Sequence, residues 1–292
     1  MESLSERLAA ITAAQPFEVS WYVVDMRDGG EVHHRGEAPV PCAGIERLLL
    51  YLSCLRAVQR GQLDPNATVT YEERHRSTAR HGVLRWMTPG LSITVGDALA
   101  QMVITGDSVG AALVREQLAA RQMPASELVD GFCADAGLSS TRYGAPDGTT
   151  TAYDQARLVE SLVARAHDRV PQLELGLDPP RAARAVEVMC SVASTTGITA
   201  HLPGYGPFNA RVAHLACDGG DDEPPARNWA DVGVVYQQGE PSYALAAFCT
   251  GVPETIDGLP GSAVTLAAIG NLSAACWHRG QSPSAQRGTD TP

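Results

Sequence analysis

The order of patterned segments constrains this chain more than any other feature. Residues 17–26 (FEVSWYVVDM) and 31–36 read as strands around Arg27-Asp28-Gly29-Gly30, a hairpin signal near the N-terminus. Three further β-type runs, 210–217, 230–237 and 242–250, lie near the C-terminus, separated by Gly, Asp and Pro. The stretch between them is helical in pattern. Residues 45–60 predict a helix too apolar all round for the surface, ending at Gly61. Helices follow at 94–104, 107–120, 126–136 and 151–166, and from an Asp178 N-cap before Pro179 and Pro180 towards Ser194. Helices at 3–14, with Leu4, Leu8 and Ile11 on one face, and at 262–278 bracket the whole. A sheet assembled from both chain ends, with helices inserted between, is a two-lobed α+β architecture. The crevice between such lobes is where a small-molecule ligand is expected.

Charge and residue usage narrow the chemistry. The formal net charge is −11, which disfavours nucleic acid and anionic membranes as partners. All 22 basic residues are arginine, and none of the 292 residues is lysine. No reaction here can use a lysine as base, Schiff-base amine or phosphate anchor. Arginine does not replace it as a base, because it stays protonated. The acidic N-terminus shows no secretory pattern and no apolar run reaches membrane-spanning length, so a cytoplasmic location is expected. The seven cysteines are scattered and odd in number, as for free thiols in a reducing compartment. The eight histidines form no metal-ligand pattern, so neither a metal site nor a cofactor is expected.

Several stretches carry a resemblance. Pro41 to Arg47 followed by LLLYLSCLRAVQRGQL, Gly82-Val83-Leu84, and Pro89 to Thr94 come first. Met102-Val103-Ile104-Thr105-Gly106-Asp107-Ser108, Arg211 to Cys217, and Asn228 to Val235 follow in order. Together, over roughly residues 3–278, the chain resembles the class A serine β-lactamases and related penicillin-binding proteins. The resemblance implies an antiparallel five-stranded sheet with flanking helices plus an all-helical lobe. The sheet lobe takes residues 1–40 and 196–279, the helical lobe 41–195, and 280–292 form a disordered tail.

Set against that family, each catalytic station reads differently. Counting back from the helix-ending Arg60-Gly61-Gln62-Leu63 puts Gly44 at the serine of S-x-x-K and Arg47 at its lysine. Gly106 stands at the serine of S-D-N, Asp107 is retained, and Ser108 replaces asparagine. Leu215-Ala216-Cys217 stand at K-T-G. The omega-loop region shrinks to YGAPDGTTTAYD without a deacylating glutamate. The resemblance therefore implies loss of the serine mechanism.

The remaining candidates each carry two readings. Glu46 and Arg47 open the nucleophile helix, where Arg47 either anchors a substrate anion or pairs with Asp107 or Glu46. Asp107 is an acid–base group or a loop support. Cys217 and Cys42 are nucleophiles or small buried hydrophobes. Cys217 and His214, three apart on a strand, fall on opposite faces, one in the core and one at the surface. Arg80, His81 and Ser108 rim the pocket with Gly44, His214, Leu215 and Ala216 as ligand contacts. Gly204-Tyr205-Gly206-Pro207-Phe208 reads as a turn beside it. Three functions fit: a non-hydrolytic enzyme (cyclase, isomerase or lyase) acting on a biosynthetic intermediate, a ligand-binding protein without catalysis, or a cysteine-dependent acyl transferase.

Overall fold

The structure is a computed structural model, and it describes residues 3–144, 148–203, 211–217 and 227–279. Strands β1 (Glu18–Asp25) and β2 (Glu31–His34) form the N-terminal hairpin. Strands β3 (Val212–Cys217), β4 (Arg227–Gln237) and β5 (Glu240–Val252) complete a five-stranded sheet in the order β2-β1-β5-β4-β3. Every neighbouring pair is antiparallel. The two ends of the chain therefore meet at the β1–β5 pairing, and β3 is left as an edge strand.

Nine α-helices occur among the described residues. They are α1 (Leu4–Ala13), α2 (Glu46–Gln59), α3 (Glu73–Thr78), α4 (Val95–Ile104), α5 (Ser108–Ala120), α6 (Ala125–Ala136), α7 (Ala152–Ala166), α8 (Pro179–Cys190) and α9 (Gly261–Arg279). The fold is thus α+β with the sheet closed from both ends. No helix is long and apolar enough to cross a membrane among the described residues.

Packing follows the sequence periods. Along β1, Tyr22 and Val24 point into one core, while Val19, Trp21 and Val23 point into the other, the two-residue alternation of a strand. The larger core joins one sheet face to the helical block; the smaller lies between the other face and helices α1 and α9. Helix α2 is buried without interruption from Leu48 to Cys54, since α4 and α6 pack against it. Helix starts follow their capping chemistry: Ser3 and Glu6 form a capping box on α1, Thr94 and Asp97 one on α4, and Asp178 caps α8 ahead of its prolines.

Two details depart from the sequence reading. Helix α8 stops at Cys190 rather than Ser194. Past the helix end, the Ala193 N–H donates to the Ile104 carbonyl at the end of α4, so a tertiary bond takes the chain away. Helix α3, six residues with no apolar period, gave no pattern to read; its start is capped by Glu72 and His75. The Gly204 to Phe208 turn, residues 145–147 of the omega-loop region and the tail 280–292 lie outside the described residues.

Candidate functional site

A cavity of about 270 Å³ opens where the start of α2, the α4–α5 junction, the segment after α8 and the edge strand β3 converge. Its wall is mostly apolar, from Val103, Ile104, Val192, Leu215, Trp229 and Leu266. Polar groups enter it from Arg47, His81, Thr105, Ser194, Thr196 and Cys217. Among the described residues no group of three His, Cys, Asp or Glu side chains comes together as metal ligands.

Arg47 lies in the first turn of α2 and reaches across the cavity wall. Its Nε donates to the Gly44 carbonyl at 3.3 Å and its Nη2 to Cys217 Sγ at 3.3 Å. The two glycines beside it leave the space it fills. Gly44 has φ +82°, and a Cβ there would lie 3.1 Å from Cys217 Cβ and 3.4 Å from Arg47 Nη2. Gly106 has φ +63°, and a Cβ there would collide with Arg47 Nη1. Both positions thus combine left-handed backbone with occupied side-chain space.

The neighbouring polar residues divide into those at the cavity and those that hold its walls. His81 is exposed and lines the cavity. Ser108 does not line it. Its hydroxyl accepts from the Arg80 and His81 N–H groups at 3.0 and 3.2 Å and contacts the His81 carbonyl at 3.1 Å, clamping that segment. Asp107 is fully buried and caps α5. It accepts the Val109 and Gly110 N–H groups at 3.0 Å each, and the Leu84 N–H at 2.8 Å. This is the work of a structural carboxylate, and Asp107 does not reach the cavity wall.

Four other expectations about position are corrected. Glu46, next to Arg47 on the same turn, carries its carboxylate against Gly148 and not into the cavity. Cys42 is buried outside the cavity, its thiol 3.7 Å from the Arg142 carbonyl, and burial pushes that thiol far up from its ordinary range. A thiol held protonated there is a poor nucleophile. His214 is buried on the opposite face of β3 from Leu215 and Cys217, with Nδ1 3.1 Å from Asp231 Oδ1. Neither His214 nor Cys217 is at the surface; each faces a different core. Arg80 flanks the site without lining it.

Of the residues singled out in the sequence, the cavity thus gathers Arg47, His81, Gly106, Leu215, Ala216 and Cys217, whereas Gly44, expected as a ligand contact, backs Arg47 without lining the cavity. Sequence reasoning missed Thr105, Trp229, Leu266 and the segment at Val192–Thr196. The run of hydroxyls in Ser191-Val192-Ala193-Ser194-Thr195-Thr196 was the available signal for the last. Ser194 and Thr196 hydroxyls lie 2.8 Å apart there.

Comparison with known proteins supplies a relationship. The beta-lactamase enzyme family matches residues 3–279. No curated protein matches the sequence. Among solved structures, PBP-A is similar at 18% identity and TM-score 0.76, covering 95% of this chain and 96% of its own. A beta-lactamase from Sphaerobacter thermophilus is similar at 17% identity and TM-score 0.77, over 96% and 98%. An ancestral class A beta-lactamase of Gram-negative bacteria is similar at 18% identity and TM-score 0.75, over 95% and 100%. At such identities the likeness establishes the shared fold.

Proposed function

The chain belongs to the beta-lactamase enzyme family, and within it we propose a member that binds a small anion beside Arg47 and does not hydrolyse β-lactams through a serine. The observation that carries this reading is the Arg47 guanidinium itself. It stands in a mostly apolar cavity wall, against Gly44, Gly106 and Cys217. In the family pattern Gly44 takes the position of a serine, Arg47 that of its lysine partner, Gly106 that of a second serine and Cys217 that of the glycine of K-T-G. Here there is no lysine in the chain, and the Gly44 station has no hydroxyl and only a tight space for a side chain, at a left-handed backbone.

A guanidinium does not accept a proton, so it does not activate a nucleophile. It does recognise carboxylates and phosphates through paired N–H donors, and an apolar surround strengthens that attraction. The reading thus rests on what arginine does well and on the absence of the partners that serine chemistry requires.

A second reading shares the site. His81 stands in the same wall with its backbone clamped by Ser108. A histidine exchanges protons near neutral pH, and an arginine stabilises a developing anion. Together they would support a non-hydrolytic reaction, a cyclisation, isomerisation or elimination, on the bound anion.

Two measurements test the proposal. Intact-mass analysis after incubation with benzylpenicillin, with turnover of a chromogenic cephalosporin alongside, is expected to give neither adduct nor hydrolysis. An adduct on any hydroxyl would overturn the loss of serine chemistry. Titration calorimetry with small carboxylates is expected to show binding that Arg47→Gln weakens about tenfold or more. Equal affinity in the variant would remove Arg47 from recognition.

A further inference from the structure

Most of a folded chain's large apolar side chains find cover, and here the exceptions cluster. The exposed large hydrophobic residues among those described are Val83, Trp86, Met87, Leu91, Tyr153, Val170 and Leu259. Four of the seven fall within residues 83–91, the segment that starts two residues after His81 in the cavity wall. Trp86 is the extreme case among aromatics, 76% exposed. Large apolar side chains left exposed together on a segment that adjoins a cavity-lining residue mark a contact surface. Indole is also the side chain that gains most from being covered.

The patch is held in place. The Leu84 N–H donates to Asp107, the buried aspartate that caps α5. The Trp86 and Met87 N–H groups close a 3-10 turn on the Val83 and Leu84 carbonyls at 3.1 and 2.9 Å. The Arg85 guanidinium lies over the indole, 4.9 Å from its ring centre. An apolar surface fixed in this way is pre-organised for a ligand rather than collapsed for its own cover.

Size and charge point the same way. The cavity, at about 270 Å³, lies just below the range of about 300–1,000 Å³ usual for ligand pockets, so a ligand of ordinary size extends out of it. Arg74 is paired with Glu72 and Glu116 at 2.7 and 2.8 Å, but Arg80 and Arg85 flank His81 and Trp86 with no acidic residue between Glu73 and Asp97, in a molecule of net charge −11. An anion is therefore attracted to this side. We propose that the ligand is amphipathic: its anionic end lies at Arg47, and an apolar tail runs outward over Val83, Trp86 and Met87. The inference rests on the reading of the cavity as an anion site and adds the chemical class of the ligand.

Straight-chain carboxylates test it without knowledge of the natural ligand. Hexanoate and dodecanoate, the latter kept monomeric, are titrated into the wild-type chain, Trp86→Ala and Arg47→Gln. The expected result is a gain in affinity of at least about tenfold from hexanoate to dodecanoate, from partial burial of six methylenes. Trp86→Ala should remove most of that gain and leave hexanoate unchanged, whereas Arg47→Gln should weaken both by a similar factor. Thermal melts check that the variants fold, and Arg47→Lys serves if Arg47→Gln does not. Hexanoate binding that needs Arg47, with no gain in dodecanoate, overturns the amphipathic ligand alone. No binding of either carboxylate overturns the anion site and this inference with it. A Trp86-dependent dimer in sedimentation without ligand assigns the patch to self-association and also overturns it.

Discussion

Gly44 and Gly106 both pack against the Arg47 guanidinium. A serine at Gly44 demands a side chain at φ +82° within 3.1 Å of Cys217 Cβ. Gly44→Ser is therefore expected to cost about 1–2 kcal/mol of stability from backbone strain and crowding. It should also leave cephalosporin hydrolysis at background, since no lysine stands by to take the proton. Urea unfolding and a chromogenic assay measure both, and a hydrolytically active Gly44→Ser would sink the argument. Gly44 and Arg47 were legible in the sequence because they are counted along a single helix from its end. Glu46 was not. Successive helical residues are turned about 100° from each other, so two neighbours on one turn do not both face one cavity, and only packing decides which one does. Asp107 was legible as a residue, and loop support was one of its two readings, but its partner, the Leu84 N–H, comes from 23 residues away and only the fold shows it.

Helix α5 starts at a junction that holds two walls of the cavity at once. Asp107 accepts three buried N–H groups, two from its own helix and one from the Leu84 turn. Asp107→Ala leaves these donors unsatisfied and is expected to destabilise by about 2–4 kcal/mol. Asp107→Asn, which keeps one acceptor oxygen, should recover part of that. If the aspartate positions rather than reacts, carboxylate affinity in Asp107→Asn should stay within about threefold of wild type. A collapse of affinity in a variant that folds would make Asp107 part of recognition. Elements such as α5 were readable to within a residue or two, because apolar period and capping chemistry are local. The early stop of α8 was not, because Ala193 is bound by the carbonyl of Ile104, far away in sequence. The same holds for the site. His214 and Cys217 separate onto two faces by the strand period alone, but the convergence of Val192, Trp229 and Leu266 on one cavity needs the whole fold.

The architecture makes the molecule depend on a sheet closed from both ends, with cores on both of its faces, and it seals cysteines into those cores. All seven are free and six are buried. Burial pushes the thiols of Cys54 and Cys133 up to about 12, and those of Cys42 and Cys249 higher still, from an ordinary value of 9.0. Tyr51 and Tyr236 are likewise pushed up to about 12 by burial. The sign follows from proton linkage. Between the unfolded and folded values, the unfolded chain releases protons that the folded chain keeps, so stability falls as pH rises. The stability is fully present below about pH 9 and is lost progressively towards pH 12. At pH 10 each of the four thiols should account for about 1 kcal/mol of loss. Together that is a large share of a typical stability of about 5–15 kcal/mol. Urea midpoints in reductant at pH 7.5 and pH 10 read this directly. The wild-type midpoint should drop steeply at the higher pH. Cys54→Ala and Cys249→Ala, though less stable at pH 7.5, should each show a smaller drop. A midpoint that stays flat from pH 7.5 to 10 would mean that the cores admit enough water to let these thiols ionise in place, contrary to the packing on both faces of the sheet.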